Sequence, residues 1–152
     1  EAIARVADVF RTLCDFAGRY GAAVGIEGAR AHVCHDIRTL QRATELIGRD
    51  NLKIIFDLYS FLDGGNYRDY PSILAKGLTV FAGRIHCFHI KDCVFTEDGP
   101  KQCAVGKGDL DFDCILPMIK IFDENAVLIL EGTGKDDIKE SIAFLRGKWQ
   151  AA

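Results

Sequence analysis

The chain has 152 residues, 49% of them hydrophobic and 27% charged, and a formal net charge of −3. That is one domain's worth of sequence with enough apolar residues for a core. The slightly acidic balance, with no basic stripe, excludes nucleic acid as a favoured partner. No apolar run approaches the roughly 18 residues of a membrane span, so no membrane contact is expected and a cytoplasmic setting is the default.

In chain order, Ile3, Val6, Ala7, Phe10, Leu13, Cys14 and Ala17 recur at helical spacing and predict a helix ending near Gly18 and Gly21. "AAVGIEG" reads as a short buried strand. Asp36 is placed to cap a second helix with Ile37, Leu40, Thr44 and Ile47 on its face, stopped at Gly48. "LKIIFDL" is the next strand, followed by a loop with Gly64 and Gly65 and a helix over 67–81 that has Pro71 in its first turn. A third strand spans about 84–91, and 93–110 reads as an irregular stretch. The helix predicted at 112–122 contains Pro117, which is expected to kink or shorten it. "AVLILEG" is the fourth strand and 135–146 the last helix.

Apolar strands alternating with helices mean an α/β fold with a parallel sheet, either doubly wound or part of a (β/α)8 barrel. Four such units amount to half of a barrel, since a whole one takes about 250 residues. Residues 1–152 are expected to form a single domain. The chain begins at Glu1 inside a helical pattern, and truncation at its N-terminus is expected.

Each strand ends in a polar residue: Glu27, Asp57, His89 and Glu131. Side chains alternate along a strand, so these four can project from one face at the carboxyl edge of the sheet, where parallel α/β folds place ligands. Three carboxylates at one mouth repel one another unless a cation neutralises them. Oxygen donors with one imidazole suit Mn²⁺, Mg²⁺, Co²⁺ or Zn²⁺. The same alternation puts Lys91 on the face of His89 and turns His86 toward the helices, where a hydrogen-bonded structural role is expected. His32 and His35 lie soon after the first strand, as substrate contacts near the mouth or as surface histidines. Six cysteines (Cys14, Cys34, Cys87, Cys93, Cys103 and Cys114) contain no CxxC pair, so free thiols are expected. A zinc cluster of Cys87, His89, Cys93 and Cys103 is an alternative that matches no usual structural zinc spacing.

The motifs "IEG…H" (Glu27, His32), "NLKIIFDLYSFLDGGNY", "IHCFHIKD", "VGKGDLDF" and "LILEG" together resemble the xylose-isomerase-like barrel superfamily, in its C-terminal half. That resemblance implies metal ligation by Glu27, Asp57, His89 and Glu131. It also implies proton transfer by Glu27 and Glu131 beside a sugar carbonyl, with Lys91 offsetting oxyanion charge. Ser60 stands where relatives often carry His or Asn and is expected to hydrogen-bond a sugar hydroxyl. The implied function is a metal-dependent isomerase or epimerase of a sugar or sugar phosphate. The alternatives are a non-catalytic half-barrel and a lyase of the inosose dehydratase kind. The endonuclease IV branch carries an Asp-x-His pair before its Gly-x-Gly, and "GPKQCAVGKG" has neither residue. Half a barrel leaves open sheet edges, so either a missing N-terminal half or self-association is expected to cover them.

Overall fold

Local chemistry explains where most elements begin and end in the computed structural model, which describes residues 1–152. Helix α1 (Ala2–Gly18) buries Ala7 and Cys14, and strand β1 (Val24–Glu27) follows. The Asn51 side-chain amide donates to Cys14 O at 2.8 Å and to Ala22 O at 3.1 Å, tying the end of α1 to the approach of β1. Asp36 caps α2 (Ile37–Ile47) reciprocally with Thr39: its Oδ1 accepts from Thr39 N at 2.6 Å and its own N–H donates to Thr39 Oγ1 at 3.1 Å. Gly48, at φ 57°, ends the helix in the left-handed conformation that glycine adopts without penalty.

Strand β2 (Leu52–Asp57) leads through 3-10 turns at Tyr59–Phe61 and Tyr67–Asp69 to α3 (Tyr70–Val80). The sequence expectation of a helix from 67 is therefore met by a tight turn first and an α-helix three residues later. Gly77 lets α3 lie directly on β2: a Cβ there would sit 2.2 Å from Cε2 of Phe56. Strand β3 is Ile85–Ile90.

The stretch expected to be irregular contains an antiparallel hairpin, β4 (Asp92–Thr96) and β5 (Gly99–Cys103). Its turn signal is Asp98-Gly99: Gly99 has φ 105°, and Thr96 Oγ1 donates to Gly99 O at 2.7 Å. Pro117 does not shorten α4 (Phe112–Phe122), which keeps its predicted span. Strand β6 (Leu128–Leu130) is followed by α5 (Ile138–Ala151), three residues later and five longer at its end than the apolar spacing implies. Residues before α5 are held in a turn by Asp137 N–H donating to Gly134 O, and Gly147 lies inside the helix without ending it.

The four strands β1, β2, β3 and β6 form one parallel sheet in chain order, so no strand order reverses. Each helix packs against the next, α1 on α2 through to α4 on α5, in one layer. A doubly wound sheet needs a reversal and helices on both faces; consecutive order with one helical layer is the arrangement of a barrel segment. The core lies between sheet and helices and is built around Phe56, Phe81, Leu40, Ile54, Leu74 and Ile119. The outer edges of β1 and β6 have no strand partner, and on the sheet face away from the helices Val127 and Ile129 are 53% and 42% exposed. No helix is long and apolar enough to cross a membrane.

Candidate metal centre

Parallel pairing conserves the direction of side chains from strand to strand, which brings the four strand-end groups to one face. Glu27 lies beside Ile55, Asp57 beside His89, and His89 beside Ile129, two residues before Glu131. Offsets of two, zero and two residues between neighbouring groups are all even, so they preserve the alternation and keep the four side chains on one face. One ligand atom from each of Glu27, Asp57, His89 and Glu131 lies within 4.8 Å of all the others. No other group of His, Cys, Asp and Glu gathers in this way, so the zinc alternative of Cys87, Cys93 and Cys103 around His89 is not formed. All six thiols are free, and burial pushes Cys93 up to about 12 and Cys103 up to about 11.

His89 Nδ1 lies 2.5 Å from Glu131 Oε2 and 3.4 Å from Glu27 Oε1. Despite this closeness, Nδ1 and Oε2 are shielded from water and make no hydrogen bond. Two buried polar atoms this close without a hydrogen bond cost free energy, and a cation coordinated by both would remove that cost. The donor set therefore fits a divalent metal ion. Glu27 titrates above the ordinary carboxyl range: burial raises it most, the His89 charge pulls it back, and Asp57 and Glu131 push it up again.

Lys91 enters the same cluster. Its Nζ lies 2.7 Å from Asp57 Oδ2 and 3.0 Å from Glu131 Oε1, and its side chain is 11% exposed beside a fully buried Asp57. Burial acts to lower the lysine, but the hydrogen bonds and charges of Asp57 and Glu131 outweigh it and hold the ammonium above its ordinary value. Ser60 does not point a free hydroxyl at the mouth. Its Oγ donates to Asp57 Oδ2 at 2.7 Å and its N–H to Asp57 Oδ1 at 3.2 Å.

His32 is exposed and lines a groove of about 450 Å³ with Glu27, Val6, Phe10, Ile26 and Val33, beside the open edge of β1. His35 is exposed beside Asp36, at 4.0 Å. His86 lies at a slip in the β2–β3 register, where Ile85 and Cys87 pair with the consecutive residues Ile54 and Ile55 and His86 is left without a partner. It is exposed and has no hydrogen-bond partner, contrary to the structural role expected for it.

One functional neighbour was missed in the sequence. Asp92, 1% exposed, accepts from the N–H groups of Cys93, Gly106, Gly108 and Leu110 and so pins the loop after β5 to the residue next to Lys91. The signal was present as an aspartate followed by Gly-x-Gly. A Cβ at Gly108 would lie 2.1 Å from Asp92 Oδ1, which is why that position is glycine.

A parallel β/α segment with a carboxylate–histidine cluster at the carboxyl ends of its strands defines a class of barrel proteins. The family model of the xylose isomerase-like TIM barrel matches residues 1–148, and the chain belongs to that family. Among solved structures, the chain is similar to a xylose isomerase domain protein from Planctomyces limnophilus, with 22% identity and a TM-score of 0.75 over 93% of this chain and 50% of that one. It is also similar to 3-keto-D-glucoside 4-epimerase from E. coli, with 21% identity and a TM-score of 0.72 over 93% and 52%. A third, the IolI protein with a bound zinc atom, gives 21% identity and a TM-score of 0.68 over 94% and 53%. The chain thus spans about half the length of these structures. A search of curated proteins gives no match.

Proposed function

We propose that the chain supplies the metal-binding and proton-transfer half of a divalent-metal-dependent isomerase or epimerase of a sugar or sugar phosphate. The observation that carries this reading is the pair Glu27 and Glu131 flanking His89, with His89 Nδ1 and Glu131 Oε2 converging unpaired. Family membership and an epimerase among the similar structures support a sugar-modifying activity.

Glu27, Asp57, His89 and Glu131 would hold the ion, and the chemistry of the donors suits Mn²⁺, Mg²⁺, Co²⁺ or Zn²⁺. When bound, it supplies Lewis-acid polarisation of a sugar oxygen, acidifying the adjacent C–H. Glu27 and Glu131 stand on opposite sides of His89, placed for one carboxylate to take the proton and the other to return it. Ser60 and Lys91 fix Asp57 in place, and His32 lies in the groove that leads to Glu27.

The open edges belong to the same proposal. The β1 edge is flanked by the groove of Val6, Phe10 and Ile26. The β6 edge is flanked by one of about 380 Å³ that includes Leu128, Leu130 and Trp149. Val9, Leu13 and Phe16 on α1, with Tyr20 just beyond its end, form an exposed apolar stripe. A further half-barrel of four β/α units, or a second copy of this chain, covers these surfaces and completes the sugar pocket. The test is solvent-deuterium incorporation at the carbon next to the carbonyl, with the Mn²⁺-loaded chain in its native assembly and a panel of ketoses and their phosphates. Exchange in the wild type and its loss in Glu131→Gln are expected; no exchange with any sugar overturns the reading. A lyase on the same site would instead release water and an unsaturated product.

A further inference from the structure

Four ligands account for one oxygen of each carboxylate and leave the place of Lys91 unexplained. A lysine near a strand end ordinarily runs to solvent. This one does not: it is 11% exposed, its Nζ divides between Asp57 Oδ2 and Glu131 Oε1, and it lies 5.9 Å from the centre of the Tyr59 ring. Tyr59 is itself fixed, with the Arg30 guanidinium 5.4 Å from its ring, and Arg30 donates to the carbonyl of Leu62.

Glu131 is thereby split. Its Oε1 is held by Lys91, and Oε2 faces His89 Nδ1. Asp57 is held on both sides, by Lys91 and Ser60 at Oδ2 and by the Ser60 N–H at Oδ1, so it cannot turn to present both oxygens freely. Three carboxylates and one ammonium total −2 with His89 neutral, which a divalent ion balances; without the lysine the total is −3.

We infer that Lys91 sets the cation specificity of the centre, engaging Glu131 Oε1 and Asp57 Oδ2 so that neither carboxylate binds through both oxygens and Ca²⁺ is refused in favour of a smaller divalent ion. This rests on the proposed metal-dependent function. Ca²⁺ takes about six to eight oxygens and often a bidentate carboxylate, whereas smaller ions are satisfied by fewer donors. Replacing Lys91 by a neutral residue adds charge attraction for every divalent ion, but adds donor oxygens that chiefly benefit Ca²⁺.

The experiment is titration calorimetry of the chain with Mn²⁺ alone and with Ca²⁺ alone, for wild type, Lys91→Gln and Lys91→Arg, with circular dichroism to establish folding. The ratio of Ca²⁺ to Mn²⁺ dissociation constants should fall about tenfold or more in Lys91→Gln. It should stay near the wild-type value in Lys91→Arg, which keeps the charge and the donors. An unchanged ratio in a folded Lys91→Gln chain that still binds Mn²⁺ overturns the inference, as does a relaxed ratio in Lys91→Arg. Failure of the underlying reading looks different: the wild type then binds no Mn²⁺, or binds it as tightly after Glu131→Gln.

Discussion

Replacing Asp92 by Asn exchanges one carboxylate oxygen for an amide nitrogen in a site built entirely of donors. Oδ1 accepts from Cys93 N at 2.8 Å and Leu110 N at 3.4 Å, and Oδ2 from Gly106 N and Gly108 N at 2.9 Å each. Whichever way the Asn amide turns, its NH₂ faces two backbone N–H groups that lose their acceptor. At about 1–3 kcal/mol for each buried group left unsatisfied, the loss is about 2–6 kcal/mol, a large share of the roughly 5–15 kcal/mol that holds a domain together. The assay is urea unfolding followed by far-ultraviolet circular dichroism, with the loss read from the transition midpoint at constant slope. Gly108→Ala attacks the same contact from the other side, because its Cβ would meet Asp92 Oδ1 at 2.1 Å. The double variant should therefore lose clearly less than the sum of the two single losses. A loss below about 1 kcal/mol in Asp92→Asn, or strict additivity, would refute the view that this carboxylate pins the loop.

Asp36→Ala should cost about 1 kcal/mol at neutral pH through the lost cap on α2. For Asp36, burial works to raise the carboxyl, but the Thr39 hydrogen bonds and the His35 and Arg38 charges outweigh it and depress the folded value below 3.8. The cap therefore contributes above pH 3.8 and is lost as pH falls through the depressed folded value, so wild type and variant should converge in acid unfolding curves. Cys93, raised by burial, stays protonated in the fold while the unfolded chain ionises above its ordinary value of 9.0. The unfolded chain then binds fewer protons, and stability should fall above pH 9 by up to about 1.4 kcal/mol per pH unit, a slope that Cys93→Ala should reduce. Mass spectrometry after treatment with a thiol reagent at pH 8 should find Cys93 unmodified in the folded chain and modified in urea.

The parallel sheet and the clustering of the four strand-end side chains were legible because both rest on periods of two and on residue type. Glu27, Asp57, His89 and Glu131 fall in phase at strand ends, and pairing there, past the register slip between β2 and β3, preserves that phase. What escaped depends on contacts between distant residues. The β4–β5 hairpin was hidden because its strands carry charge and a proline among few apolar residues, leaving Asp98-Gly99 as the one local cue. The contacts of Lys91 could not be read because nothing nearby in sequence reveals that Asp57 and Glu131 converge on it. Ser60 was matched to a sugar hydroxyl, whereas three-residue spacing on a tight turn returns its hydroxyl to Asp57. His86 was assigned a burial that its place at the start of β3 does not provide.

The most direct test of the proposed centre is metal stoichiometry after dialysis against Mn²⁺, measured by elemental analysis on wild type, Glu131→Gln and Asp57→Asn. The account predicts near one ion per wild-type chain and a sharp loss in both variants, with their folds intact by circular dichroism. Equal metal in wild type and variants would contradict it.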